Sequence, residues 1–203
     1  DFVNAMADAS NISLEQFKLW YTQVGTPLLI VSESFDKNTK EYSLTIKQQN
    51  SRSDKPTQAL HIPINIELIH NNQSDHRALI ELTELEQTFI FDGCEEKPVL
   101  GFLGNFSAPV KVELTQSEKD LENIMVNAHD EFCRWDAGQK LMKEYINKIY
   151  ADANSKVPQN IIQAFNNVLN SNVDVALIAE QLTLPTFDEV ADAINYVDPV
   201  KLH

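Results

Sequence analysis

The chain has 203 residues, of which 43 % are hydrophobic, and this length and composition predict two small domains that each bury a core. The 30 acidic residues outnumber the 16 basic ones and give a formal net charge of -14. Such a surface repels phosphate backbones and anionic membranes, so the composition argues against nucleic acid and membranes as partners.

The cysteine content predicts the cellular compartment, and the two ends of the sequence suggest a fragment of a longer protein. Cys94 and Cys133 are far apart in sequence, which favours two reduced thiols and predicts a cytoplasmic location. The sequence shows no bilayer-length apolar run and no signal segment at its start. Because the chain begins inside a helical pattern and a helix start at Asp198-Pro199 lies close to its end, we expect an excised fragment.

The N-terminal region predicts two short helices. Phe2 and Met6 lie on one face of the first helix. Ser13 with Gln16 matches a capping box and predicts the start of the second. Gly25 then ends the helical pattern, and extended structure is expected beyond it.

Alternating hydrophobicity then predicts an antiparallel β-sandwich over residues 22–115, with an immunoglobulin-like layout. Its clearest strand is 60–69, where apolar and polar residues alternate as in a half-buried strand. Pro63 cannot donate to a sheet ladder, so it predicts an edge position or a bulge. The strand candidates are 28–31, 42–46, 60–69, 79–82, 88–91, 99–103 and 110–114.

The hydrophobic period changes near residue 115 and predicts an all-α array of five helices over residues 116–203. Ser117 with Asp120 and Thr186 with Glu189 match capping boxes at two of the helix starts. Helices joined by short loops stack in pairs, so the array is expected to resemble a helical repeat.

His129 and Cys133 are the nearest approach to a chemical site. On a helix their spacing would offer two ligands to zinc, but a structural site normally has four, and nothing obvious completes this one. A Cys133 nucleophile activated by His129 would need a lowered thiol pKa and a third, orienting group. The His-Glu-x-x-His metal motif does not occur. We therefore expect ordinary helix residues here, and no catalytic, metal or cofactor-binding residue in the chain.

Five segments follow one another along the chain in a recognisable order. They are WYTQVGTP at 20–27, LHIPINIEL at 60–68, FSAPVKVEL at 106–114, FCRWDAGQ at 132–139 and LTLP at 182–185. Together they resemble the middle-to-C-terminal part of bacterial aminopeptidase N, a zinc metallopeptidase of the gluzincin type. None is a catalytic signature, but five in the family's order make an accidental match improbable.

The resemblance implies a place within a larger enzyme. Residues 1–21 would be the terminal helices of the catalytic domain, 22–115 the β-sandwich domain and 116–203 the first helices of the C-terminal helical domain. The family's zinc-binding helix and its Gly-x-Met-Glu-Asn motif have no counterpart here. Zinc and peptide substrates are therefore expected only for the parent enzyme, and the expected partner is the catalytic domain of the same parent chain.

Three residues at the start of the longest predicted helix are candidates for interdomain packing. Trp135 offers an aromatic surface, and Arg134 with Asp136 offers an ion pair that would lock the helix. The simpler interpretation of that pair is a surface contact worth under about 1 kcal/mol.

The resemblance suggests that the β-sandwich is a non-catalytic spacer between the catalytic domain and the helical domain of an aminopeptidase. Two other classes of function compete with this role. One is a free-standing adhesion or carbohydrate-binding sandwich, which the lack of a signal segment and of a disulfide framework argues against. The other is a helical-repeat scaffold that binds a protein in the groove between its helices.

Overall fold

The structure is a computed structural model that describes residues 2–50, 58–71, 73–191, 194 and 197–202. Residue 1 and residues 51–57, which fall in the predicted N-terminal helix and the predicted sandwich, lie outside the described residues. Seven strands are described: β1 Pro27–Asp36, β2 Glu41–Asn50, β3 Ile62–His70, β4 Gln73–Leu82, β5 Glu86–Phe91, β6 Val99–Phe102 and β7 Lys111–Leu114. The helices are α1 Phe2–Ser10, α2 Glu118–Asn127, α3 Glu131–Ala151, α4 Gln159–Leu169, α5 Val175–Leu182, α6 Phe187–Ala191 and α7 Pro199–Leu202.

The chain divides into two compact units. The first comprises Asp1–Ile66, Arg77–Pro98 and Phe106–Thr115. The second comprises Glu67–His76, Val99–Asn105 and Gln116–His203. The helical unit therefore includes the C-terminal part of β3 and all of β6 as well as α2 to α7.

The predicted sandwich architecture is confirmed. A four-stranded sheet has the order β5-β2-β1-β7 and a three-stranded sheet the order β4-β3-β6. β1 and β2 form an antiparallel hairpin from Pro27↔Asn50 to Asp36↔Glu41. β7, in contrast, runs parallel to β1. Parallel neighbours require a long crossover, and here most of the sandwich sequence separates the two strands.

For Pro63 the sequence predicted an edge position or a bulge, and the edge alternative is wrong, because β3 is the central strand of its sheet; the bulge stays a prediction. Asn65 is two residues after Pro63, so the backbone nitrogens of both residues face the same flank of the strand. On that flank the Asn65 N–H donates to the side-chain hydroxyl of Ser107 at 3.0 Å. On this flank the Asn65 N–H therefore bonds to a side chain.

The predicted capping box at Ser13 and Gln16 is also wrong. The second N-terminal helix is a short 3₁₀ turn, Phe17–Tyr21, without a side-chain cap. The Gln16 amide instead donates to the carbonyls of Ala59, at 3.1 Å, and Thr83, at 2.7 Å. The Gln16 side chain therefore bonds to distant carbonyls, and not to the N–H of Ser13 as a capping box requires.

The helical unit follows the predicted starts. The Asp120 N–H donates to Ser117 Oγ at 3.2 Å and the Ser117 N–H donates back to Asp120 Oδ2 at 3.1 Å, which confirms the capping box of α2. Thr186 and Glu189 repeat this arrangement before α6. Packed helices then share a core with Ile69 of β3. Its other members are Leu121, Ile124, Met125, Ala128, Cys133, Ala137, Leu141, Tyr145, Ile161, Ala164 and Val168.

Candidate functional site

A group of buried polar contacts in the helical unit lies where α3 begins. Glu67 of β3 is only 2 % exposed. One of its carboxylate oxygens accepts the N–H of His129, and the other accepts the N–H of Asp130 at 3.1 Å. Because the N-terminus of a helix carries partial positive charge and unpaired N–H groups, a carboxylate is well suited to this position.

Asp130 and Cys133 complete this group. Asp130 is the N-cap of α3, and its carboxylate accepts the N–H of Cys133 at 3.0 Å. The Cys133 thiol donates to the carbonyl of Phe102 at 3.5 Å. Gly101 lies alongside, where an added Cβ would come within 3.3 Å of Glu67 Cβ. A side chain at residue 101 would therefore crowd Glu67 and require it to shift by a few tenths of an ångström.

The electrostatics of this group oppose nucleophilic chemistry. Burial, followed by the negative charges of Asp130 and Glu67, raises the pKa of Cys133 well above its usual value. A reactive cysteine needs the opposite shift, because the thiolate is the nucleophile. The protonated, hydrogen-bonded thiol of Cys133 is instead a structural group.

The structure also corrects the placement of His129. This residue precedes the N-cap of α3 and lies outside the helix, whereas Cys133 lies inside it. His129 is exposed and Cys133 is buried, so they do not share a helix face as the spacing suggested. Across the ranges described above, no group of three or more His, Cys, Asp or Glu side chains is placed to hold a metal ion.

The candidates for interdomain packing each have partners within α3 or next to it. Trp135 is half-buried, and its ring lies 5.7 Å from that of Phe132. The Arg134 guanidinium donates to the carbonyl of Ala128. Asp136 pairs with Lys140 at 2.7 Å, one turn along the helix. A role between domains stays a prediction for all three residues.

Glu67 is buried, although strict alternation of apolar and polar residues predicts it on the open face of the strand. One signal was present. Leu68 and Ile69 are consecutive apolar residues, which breaks the alternation and indicates that both faces are covered at this end of the strand. The structure buries all of Ile66, Glu67, Leu68 and Ile69.

Comparison with known proteins matches two consecutive segments of the chain to family models. Residues 25–115 match a family model described as a domain of unknown function, DUF3458, with an Ig-like fold. Residues 118–203 match its companion, DUF3458_C, described as ARM repeats. In the part of the chain that the structure describes, no helix is both long and apolar enough to cross a membrane.

Three relatives cover essentially the whole chain. Aminopeptidase N of Escherichia coli strain K12 is 38 % identical over 218 residues, which is 100 % of this chain and 25 % of that protein. Aminopeptidase N of Haemophilus influenzae is 32 % identical and is matched over 98 % of this chain and 25 % of its own length. A crystal structure of Legionella pneumophila aminopeptidase A in complex with aspartic acid superposes with a TM-score of 0.86 at 26 % identity, over 99 % of this chain and 23 % of that one. The chain thus spans about a quarter of the length of these relatives.

Proposed function

This chain belongs to the bacterial aminopeptidase N family, as the counterpart of about a quarter of its members' length, and we propose that it is a non-catalytic part of a zinc aminopeptidase. In this proposal the parent enzyme removes N-terminal residues from peptides, with zinc activating the attacking water. The observation that carries it is the match of the entire chain to one quarter of proteins named aminopeptidase N.

Cys133 and His129, the residues considered as zinc ligands, do not fit a zinc site. Cys133, the softest candidate ligand, donates its thiol hydrogen to a backbone carbonyl, and its raised pKa disfavours the thiolate that zinc binds. Its suggested partner, His129, is exposed to solvent. We therefore assign zinc, the catalytic residues and the peptide site to the rest of the parent protein.

Within that parent the sandwich would act as a spacer between the catalytic domain and the helical domain. We assign 22–115 to the spacer and 116–203 to the first helices beyond it. Only Thr115 and Gln116 separate the end of β7 from Ser117, the N-cap of α2. A short link suits a spacer that sets a distance.

We assign residues 1–21 to the end of the catalytic domain, which would be the partner of this chain. All nine residues of α1 are described, and none is buried. Phe2 and Met6 are exposed on it, which supports cover by the parent's catalytic domain. We also propose a cytoplasmic parent, since Cys94 and Cys133 are free thiols.

The spacer role is tested by loosening the link in the full-length parent. A short Gly-Ser insertion between Thr115 and Gln116 should lower kcat/KM on aminoacyl anilides by roughly tenfold or more, because small misplacements of a closing element are costly. The matched control is the same insertion between Asn38 and Thr39, in the β1–β2 turn, which should leave activity within about twofold. Equal activity in both variants would refute the spacer. Zinc-dependent turnover by residues 1–203 alone would refute the non-catalytic assignment.

A further inference from the structure

A groove with polar walls, which we call the amide groove, lies between α2 and α4 in the helical unit and has a volume of about 440 Å³. Carboxamide side chains line both walls, and they are Asn123, Asn127, Asn160, Gln163 and Asn167. Val126 and the buried Ala164 contribute apolar surface between them. A groove of this volume is large enough to hold a ligand.

The carboxamides of the amide groove form a row along each helix. On α2 the Asn127 amide donates to Asn123 Oδ1 at 3.3 Å. On α4 the Gln163 amide donates to Asn167 Oδ1 at 3.0 Å. A carboxamide carries two N–H donors and two acceptor positions, so a bond to its neighbour orients the group and leaves it able to bond to a ligand as well.

The spacing of the carboxamides matches that of an extended polypeptide. Asn123 and Asn127 are four residues apart on α2, and Gln163 and Asn167 are four residues apart on α4. Residues at this spacing lie about 6 Å apart along a helix axis. In an extended chain every second peptide group recurs after about 6.6 Å. Each row of carboxamides therefore stays in step with alternate peptide groups over several residues of such a chain.

The charges of the amide groove favour the interior of a polypeptide over its ends. Two charged side chains, Lys119 and Glu122, occur among the described residues that line it. The Glu122 carboxylate, which could bind an N-terminal ammonium, already accepts a hydrogen bond from the Asn160 amide. The described lining also includes no aromatic ring on which a sugar could stack. What the groove offers most is paired donors and acceptors, which are the groups that a peptide main chain requires.

We propose that the amide groove binds an internal segment of a polypeptide in extended conformation, through the N–H and C=O groups of its main chain. Every residue except proline carries both groups, so the site accepts many sequences. The inference goes beyond the proposed function and does not depend on it, because hydrogen bonds between carboxamides and a main chain require neither zinc nor a free N-terminus. It gives the helical unit a binding role of its own within the parent protein.

The test is fluorescence anisotropy with the full-length parent. The probe is an N-acetylated Ala/Ser/Thr peptide of about eight residues, long enough to span the carboxamides of α4, with fluorescein at its C-terminal end. Asn127→Leu and Gln163→Leu each remove one carboxamide, one from each wall, and each should raise Kd about threefold to tenfold, which corresponds to the net loss of one hydrogen bond. The matched control is Gln159→Leu, an exposed position of α4 outside the groove, which should leave Kd unchanged. The same peptide with alternate nitrogens methylated should bind about tenfold more weakly, because it lacks those donors.

Three results would overturn the proposal. Absence of binding, or the same Kd for both groove variants as for the unsubstituted parent, would exclude the amide groove as the site. Binding only by peptides with a free N-terminus would assign the peptide to the active centre of the parent. Competition by maltoheptaose without an effect of N-methylation would make the groove a sugar site. Circular dichroism checks that each variant is folded, either variant decides should the other fail, and the N-methylated peptide needs no variant at all.

Discussion

Two polar side chains on strands, one in each unit, are almost equally buried but are satisfied in different ways. Gln48 in the first unit is 3 % exposed, and Glu67 in the second is 2 % exposed. The Gln48 amide donates to the carbonyls of Leu60, at 3.0 Å, and Glu84, at 2.8 Å, and accepts the N–H of Leu60 at 2.8 Å. Glu67 only accepts, from the N–H groups of His129 and Asp130.

The difference follows from the hydrogen-bond donors and acceptors that each side chain carries. An amide carries both donors and an acceptor, so it can replace missing ladder bonds between segments that offer both kinds of group. An ionised carboxylate only accepts, so it can be buried only where N–H groups converge, as they do at the start of a helix. The surroundings therefore determine which of the two side chains each position tolerates, and exchanging them tests this.

The largest effect is expected for Gln48→Glu. The new carboxylate would face the carbonyl oxygens of Leu60 and Glu84 without a compensating donor for its second oxygen. An uncompensated buried charge costs about 3–5 kcal/mol, so the urea midpoint at pH 7 should fall sharply. The control is Gln49→Glu, one residue along and exposed, which should change stability by under about 0.5 kcal/mol. Similar midpoints for the two variants would contradict the role given to Gln48.

A smaller loss is expected for Glu67→Gln. The amide keeps one acceptor oxygen, so either the His129 or the Asp130 N–H loses its partner, at a cost of about 2–3 kcal/mol. Urea unfolding followed by Trp fluorescence and far-UV circular dichroism measures it. Glu113→Gln, an exposed carboxylate on β7, is the matched control and should be close to neutral. If Glu67→Gln matches that control, the carboxylate does not stabilise the start of α3.

The smallest effect concerns a carboxylate that is exposed and paired. Glu118 of α2 accepts hydrogen bonds from Lys148 and Tyr145 of α3, which lower its pKa in the folded protein. Its ionisation therefore stabilises the fold above the pKa of the unfolded carboxyl, and this contribution is lost as the pH falls through the folded pKa. Its side chain is 38 % exposed, so the contribution is under about 1 kcal/mol.

The corresponding measurement is the pH dependence of stability. Urea midpoints between pH 7 and pH 3 should fall less steeply for Glu118→Gln than for the unsubstituted chain, with the difference confined to the acid side. Glu131→Gln, in the first turn of α3, is a control for a general change in charge. Parallel curves for the unsubstituted chain and Glu118→Gln would show that the contacts of Glu118 with Lys148 and Tyr145 do not help to hold α2 to α3.

Local signals were enough for much of the fold. The strand candidates and the capping boxes of α2 and α6 were correct, because period and cap chemistry act within a few residues. Gln16 failed as a local cap because carbonyls of Ala59 and Thr83 compete for its amide. The edge position of Pro63 failed because β3 has a neighbouring strand on each side in its sheet. Both outcomes depend on parts of the chain that are distant in sequence and cannot be read from neighbouring residues.

The sequence by itself determined the order of the elements and the change from strand to helix period near residue 115, since both depend on which neighbouring residues are apolar. It also carried the resemblance to aminopeptidase N, which the comparisons bear out over the whole chain. Only the tertiary structure decided that Glu67 is buried, that Gly101 makes room beside it and that His129 and Cys133 do not share a helix face. The physical reason is that burial and pKa depend on what the fold brings against a residue, and at these positions the contacts come from other elements.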